Sequence, residues 1–173
     1  MKVKPMEWIR KPDANADGLL KVELTDMEFG VPVGVETHNV SEEEVTMDQE
    51  QEFEMILEST GQTKVYRDLA DYEAHPDGHM APESIIPCGL FPAGGEDPSF
   101  EPDATVIIHG TVTKLYDDPA ALGFSEDEFL YSMNCLGVEL DVVASKNEIT
   151  ETITPGSIVS DVYWIQGWPA ENS

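Results

Sequence analysis

Residues 104–115, ATVIIHGTVTKL, and residues 156–168, GSIVSDVYWIQGW, decide the fold class of this chain. The first stretch is dense in β-branched residues, which favour strands. The second alternates in the way a strand does, with two faces formed by Ile158, Ser160, Val162 and Trp164 on one side and Val159, Asp161, Tyr163 and Ile165 on the other. The two stretches predict a mainly β fold, an antiparallel, closed or partly open barrel with a long irregular loop and little helix.

A third β segment lies between them, at residues 131–142. Its apolar alternation slips by one position at Gly137, and a slip of this kind is typical of a β-bulge or a sharp bend. Gly110 is expected to bend the first stretch, residues 104–115. Pro155 with Gly156 is expected to form the turn into the last strand.

This order of a glycine-bent strand (residues 106–112), a long strand pair and a Pro155–Gly156 turn resembles the OB-fold barrels over about residues 104–168. The resemblance implies a barrel that binds oligonucleotides or oligosaccharides on one face. Nucleic-acid-binding members use a basic groove with stacking aromatic residues. This chain has no such basic groove in its sequence, so only the architecture is carried over.

A single domain is expected over residues 1–173, with an irregular N-terminal arm at 1–19. Strands are predicted around residues 20–24, 29–35 and 53–57, with Pro32 at a sheet edge, and residues 64–72 are expected to form a short helix or an extended segment. Residues 72–102 contain six of the twelve prolines, which predicts an irregular excursion that packs its apolar patch (residues 85–91) onto the body.

The net charge of −26 excludes whole classes of partner. Five of the nine basic residues fall within residues 1–21, and the remainder of the chain is acidic. Phosphate binding needs clustered Lys and Arg, so we expect neither nucleic acid nor an anionic membrane as partner. The same charge favours solubility and selects cationic partners, either a protein or a small ligand.

The compartment is inferred from what the sequence lacks. There is no stretch of about eighteen apolar residues, and residues 1–8 lack the apolar core of a secretory signal. The two cysteines, Cys88 and Cys135, are widely spaced and do not suggest a disulfide framework. These observations predict a cytoplasmic protein.

Two weak metal motifs stand out against the expectation of no cofactor. Asp13, Asn15 and Asp17, followed by Gly18, match the opening of a calcium loop, yet Leu24 stands where the loop needs a bidentate carboxylate. An Asx-type turn is the favoured alternative for these residues.

His75 and His79 lie on either side of a Pro-Asp-Gly turn, with Cys88 downstream. Imidazole, carboxylate and thiolate are good Zn²⁺ ligands, and a thiol beside an imidazole is also the arrangement of a cysteine nucleophile. The competing interpretation is a buried, inert Cys88. His109, within an apolar strand, is expected in the core or at a barrel rim.

Aromatic residues on the last strand are the predicted binding residues. Tyr163, Trp164 and Trp168 form a candidate platform for a sugar ring or a partner, although Trp164 also suits the core. We therefore expect an acidic, non-enzymatic binding or protein-interaction module. The alternative is a metal- or cysteine-dependent enzyme that uses the His75, His79 and Cys88 loop.

Overall fold

The computed structural model describes residues 1–9, 17–27, 30–40, 42–75, 80–91, 98–149 and 151–170. The described strands are β1 (Lys2–Ile9), β2 (Gly18–Leu24), β3 (Val31–Thr37), β4 (Gln51–Ser59), β5 (Lys64–Tyr66), β6 (Ser84–Ile86), β7 (Thr105–Leu115), β8 (Glu128–Cys135), β9 (Val138–Ser145) and β10 (Ile158–Pro169). The helical elements are α1 (Leu69–Ala74) and two short 3-10 helices, Glu42–Glu44 and Pro119–Leu122. The mainly β fold with little helix is therefore confirmed.

The strands belong to a ten-stranded sheet with the hydrogen-bonded order β5-β10-β3-β2-β1-β4-β9-β8-β7-β6. Most described pairs are antiparallel, as expected, but β3 pairs parallel with β10 and β4 pairs parallel with β9. The sheet is therefore mixed. Alternation along one strand cannot distinguish the two pairings, because both leave side chains on alternate faces.

The chain divides into two compact units, described separately below. Unit 1 comprises Met1–Ile56, Pro87–Val106 and Trp164–Ser173, and unit 2 comprises Leu57–Ile86 and Ile107–Tyr163. The single-domain organisation stays a prediction. None of the helices in the described part of the chain is long and apolar enough to cross a membrane.

Unit 1 is built on the antiparallel strands β1, β2 and β3. Its fully buried apolar side chains include Val3, Leu19, Leu20, Val33 and Val35. The C-terminal half of β10 joins β3 at Gln166 and Gly167. Sequence-distant segments therefore meet at this end of β3.

β1 corrects the expected irregular arm. Val3 to Ile9 pair with β2, and the register shifts between Pro5 and Glu7. Proline cannot donate a ladder hydrogen bond, and a bulge is one of the few places where a strand accommodates it. Pro5 therefore marks an irregular strand, where the sequence suggested no strand.

Unit 2 contains the antiparallel run β6, β7, β8 and β9, with β5 against the N-terminal half of β10. Its core includes Tyr131, Met133, Val142, Val159 and Tyr163, each fully buried. The hydroxyl oxygens of Tyr131 and Tyr163 lie 3.2 Å apart, so each buried phenol has a polar partner. Burial raises the pKa of both phenols, and they remain neutral in the core.

The slip in alternation at Gly137 is a hairpin turn. Leu136 has φ of 53° and Gly137 has φ of 87°, and Cys135 pairs directly with Val138 across the turn. Two central residues with positive φ form the tight turn that suits a two-residue hairpin. Directly opposed residues share a face, which explains why the apolar pattern moves by one position here.

The proline-rich stretch at 72–102 holds more regular structure than expected. Strand β6 pairs with β7 at residues 107–109, while residues 76–79 and 92–97 lie outside the described part of the chain. Within the predicted apolar patch Leu90 is buried, whereas 58% of Phe91 is exposed. A strand with only three paired residues is short enough to fit between prolines. The high proline content of this stretch therefore did not predict β6.

Candidate functional site

The site forms in unit 1, where the end of β10 meets the loop after β3. The Trp168 indole stacks on the His38 imidazole with ring centroids 5.1 Å apart and an interplanar angle of 24°. The backbone holds this pair, because the His38 amide donates to the Gly167 carbonyl at 3.0 Å. Trp168 is half-buried, so part of its ring is open to a ligand.

Gln166 fixes the orientation of the histidine. Its side-chain oxygen is hydrogen-bonded to Nε2 of His38, and its side-chain nitrogen lies 3.4 Å from a carboxylate oxygen of Glu36. An amide oxygen can only accept, so Nε2 of His38 is the protonated nitrogen in this arrangement. Together Glu36, Gln166, His38 and Trp168 form one connected row.

The loop after β3 is held by a side chain that the sequence assigned to a metal. The Asp17 carboxylate accepts a hydrogen bond from the Val40 amide at 2.9 Å. Asn39, which precedes Val40, adopts φ of 60°, a left-handed conformation that asparagine tolerates better than most residues. These contacts place Asn39 beside the tryptophan.

These residues surround an open cleft of about 630 Å³, lined by Asn39, Glu54, Trp168, Pro169 and Ala170. The lining offers an indole ring and a proline ring together with a carboxylate and an amide. Glu54 is exposed on β4. The cleft, defined by these five residues, thus combines an aromatic surface with a negative charge.

Gly167 permits the close approach that forms the cleft. A Cβ atom at this position would lie 2.5 Å from Cγ1 of Val35, closer than real Cβ contacts allow. Only glycine therefore lets β10 run this close to β3 and bring Trp168 beside His38, which follows β3.

An aromatic face beside a carboxylate can bind a cation that carries some apolar surface. Trp is the most favourable side chain for cation–π contacts, and these are strengthened when the cation is partly desolvated. Asn39 adds both a donor and an acceptor for a polar head group. The described lining of the cleft contains no Ser, Thr, Cys, Lys or His side chain.

The other two predicted aromatic residues lie elsewhere on β10. Tyr163 is fully buried in unit 2, and its hydroxyl is directed at Tyr131 and at the Met133 sulfur. Trp164 is half-buried and shares the strand face of Trp168, but it does not line the cleft. Of the three, Trp168 alone belongs to the site.

Of the Asp, Asn and His residues predicted as metal ligands, only Asp17 and His75 lie within the described part of the chain. Asp13, Asn15 and His79 lie outside the described residues, and Asp17 uses one carboxylate oxygen on Val40. Over the described ranges no group of three or more His, Cys, Asp or Glu side chains is placed to hold a metal ion. The Ca²⁺ and Zn²⁺ sites stay predictions.

His75 closes helix α1 and is exposed. Its Nδ1 lies 2.7 Å from the Asp71 carbonyl oxygen and 3.7 Å from the Asp71 carboxylate, and its ring meets the edge of Tyr66. These contacts belong to the end of a single-turn helix and are local.

The two thiols differ in burial. Cys88, in unit 1, is half-buried, and its sulfur lies 3.8 Å from the Thr105 hydroxyl. Cys135, in unit 2, is fully buried, and burial together with Glu83 raises its pKa to about 12. Among the hydrogen bonds of the described residues, neither thiol has an imidazole partner, so the alternative of a cysteine nucleophile gains no support from geometry.

Comparisons of the chain with protein-family models, with curated proteins and with solved structures find no match.

Proposed function

We propose that this protein is a binding module that recognises a cationic segment of a partner protein in the cleft of unit 1. The observation that supports the proposal is that Trp168 and Glu54 line one open cleft. A lysine or arginine side chain matches this lining, since its alkyl stem packs on an aromatic ring while its charged end meets a carboxylate.

Arginine is the better match of the two cations. Its planar guanidinium stacks on aromatic rings and donates through several N–H groups at once. The Trp168 indole offers the stacking surface, and the carbonyl oxygen of Asn39 and the Glu54 carboxylate can accept. We therefore favour an arginine-containing ligand.

The charge of the whole chain supports the same class of partner. With 35 acidic and 9 basic residues, the protein attracts cationic partners over a distance and repels polyanions. Binding should weaken with salt, because the Debye length is about 10 Å at 0.1 M ionic strength and shorter above it. Nucleic acid is accordingly not proposed as a partner.

The test uses two peptides of equal length, one with three arginines and one with citrulline at the same positions. Citrulline keeps the shape of arginine and lacks its charge. Isothermal calorimetry should detect binding of the arginine peptide alone. Binding of the citrulline peptide with equal affinity, or of neither peptide, would contradict the proposal.

Cleft variants locate the binding. Trp168→Ala should weaken binding by about 2- to 30-fold, the range of one cation–π contact. Glu54→Gln should weaken it by up to about 5-fold, since exposed ion pairs contribute about 0.2–1 kcal/mol. The matched controls Trp164→Phe and Glu126→Gln, both outside the cleft lining, should bind normally.

Two further proposals concern the setting of this module. We propose that the sheet has OB-like barrel architecture, on the basis of the register shift in β7 between Val112 and Lys114, the β8–β9 hairpin and the Pro155–Gly156 turn. An experimental structure with an open sheet would contradict this proposal. We also propose a cytoplasmic location, consistent with two free cysteines; recovery of the protein in a secreted fraction would exclude it.

A further inference from the structure

A histidine in unit 2 is hydrogen-bonded to a serine on each side. Nδ1 of His109 lies 3.1 Å from the Ser84 hydroxyl, and Nε2 lies 3.0 Å from the Ser160 hydroxyl. His109 is 9% exposed, whereas both serines are half-buried. The three side chains come from different strands, β7, β6 and β10.

One arrangement of protons satisfies all three contacts around His109. In it, Ser84 Oγ–H donates to the Ala81 carbonyl oxygen at 3.3 Å, and Nδ1–H of His109 donates to Ser84 Oγ at 3.1 Å. Nε2 then carries the lone pair and accepts from Ser160 Oγ–H. A nucleophile, a base and a third group that orients the base stand in line.

A lysine lies next to this line. Lys64 on β5 is the direct partner of Ser160 on β10 in an antiparallel pair, so the two side chains share a face. Its exposed ammonium is near enough to His109 to affect the titration of the ring. In a chain with only nine Lys and Arg residues, one of them is the cross-strand neighbour of Ser160.

Aromatic rings border the same group. Tyr72 is 6.2 Å from His109 in an edge-to-face arrangement, and Tyr66 is 4.9 Å from Tyr72. Tyr66 is also the pairing partner of Ile158 on β10. Tyr72 is buried, so the half-buried Tyr66 is the ring that offers apolar surface on the strand face of Ser160, suited to an uncharged acyl group.

We propose that Ser160 is a nucleophile activated by His109 and that it accepts acyl groups from small, uncharged carboxylic esters. Ser160 Oγ forms a bond to the ester carbonyl carbon while its proton moves to Nε2 of His109. The carbon–oxygen bond to the leaving alcohol then breaks, and that alcohol takes the proton from Nε2. Water attacks the acyl-serine through the same base, which releases the carboxylic acid and restores Ser160.

His109 is prepared for the role of base at neutral pH. Burial, and to a smaller extent the Lys64 charge, lower the pKa of its imidazole from the ordinary value of 6.5. The ring is thus neutral at pH 7, with Nε2 free to accept. Lys64 is the charge that would stabilise the oxyanion of the tetrahedral intermediate, while Ser84 positions the base.

The test is covalent labelling of the intact protein. A fluorophosphonate probe should add once, at Ser160, as shown by intact mass and peptide mapping, and 4-nitrophenyl acetate should be hydrolysed. Ser160→Ala should lose both signals, and His109→Gln should slow labelling by about 100-fold or more, the usual share of a general base. Labelling that persists in Ser160→Ala, or that maps to another serine, overturns the proposal.

Controls separate chemistry from folding. Ser145→Ala removes a half-buried serine of the same unit that has no histidine partner, and it should label as the parent does. The labelling rate should be half-maximal below pH 6.5, the ordinary histidine pKa. Ser84→Ala should move that midpoint, which a purely structural serine would not do. If His109→Gln fails to fold, Ser160→Ala decides alone, because it alters a small, half-buried side chain.

Discussion

Asp161 should be the most sensitive polar residue of unit 2. It is 2% exposed on β10, yet it is a carboxylate. Its Oδ2 accepts from the Ser59 and Thr63 hydroxyls, each at 2.5 Å, and its Oδ1 accepts from the Val162 amide at 2.6 Å. The carboxylate thereby ties the connection between β4 and β5 to the last strand.

The magnitude follows from these bonds. Asp161→Ala leaves two hydroxyls and one amide without their acceptor. Since a hydrogen bond to a charged group contributes about 1.5–3 kcal/mol, we expect a loss of roughly 3–5 kcal/mol. Asp161→Asn keeps the shape and one acceptor oxygen, so we expect a smaller loss of about 1–3 kcal/mol. At about 2–4 °C per kcal/mol for a chain of this size, Asp161→Ala should lower the Tm by roughly 6–20 °C.

Urea titration followed by far-UV circular dichroism measures the free energy of unfolding, and calorimetry gives the Tm. Glu126→Ala, an exposed acidic residue in the same unit, is the matched control and should lie within about 0.5 kcal/mol of the parent. An Asp161→Ala variant as stable as that control would refute the assignment of Asp161 as a satisfied buried carboxylate.

Three further predictions follow from burial and close approach. In the native protein at pH 8, a thiol reagent should modify Cys88 and spare Cys135, whose buried thiol has a pKa of about 12; mass spectrometry of the labelled peptides checks this. The pKa of His109 in the folded protein lies below its unfolded value of 6.5. The contribution of His109 to the free energy of unfolding is therefore complete above pH 6.5 and is lost as the pH falls below 6.5. In urea titrations between pH 7 and 4, the parent should lose stability more steeply than His109→Gln. Gly167→Ala should cost about 1–3 kcal/mol through overpacking against Val35 and weaken binding in the cleft, and adding Val35→Ala should recover part of the stability.

The strand pattern of the C-terminal third was predictable, because alternation is a local signal. The β7, β8, β9 and β10 strands and the Pro155–Gly156 turn all lie where the sequence placed them. The shift in apolar alternation at Gly137 is visible in the sequence. Whether it marks a bulge or a hairpin turn depends on cross-strand pairing. A bulge and a two-residue hairpin produce the same shift in phase, and only the partner strand distinguishes them.

The N-terminal strand and the short β6 were missed for a different reason. Pro5 and the prolines of residues 72–102 argue against ladders in general. β1 pairs with β2 and β6 pairs with β7, and this pairing stabilises strands that amino-acid composition alone does not predict. The bulge at Pro5 accommodates the proline within β1. Tertiary pairing decided both cases.

The site was predictable only at Trp168. Alternation separated the two faces of β10 but could not say which one is buried, so Tyr163 and Trp168 looked equally suitable. His38, Asn39 and Glu54 carry no local signal, because their proximity to Trp168 depends on a parallel pairing between β3 and β10 and on the position of β4.

The most direct test of the binding proposal is a titration followed by ¹⁵N–¹H NMR. The three indole N–H signals, from Trp8, Trp164 and Trp168, can be assigned by single Trp→Phe variants. Adding the arginine peptide should shift the Trp168 signal in a saturable manner and leave Trp164 nearly unchanged, while the citrulline peptide shifts neither. A Trp168 signal that stays fixed while the arginine peptide binds would contradict the cleft as the binding site.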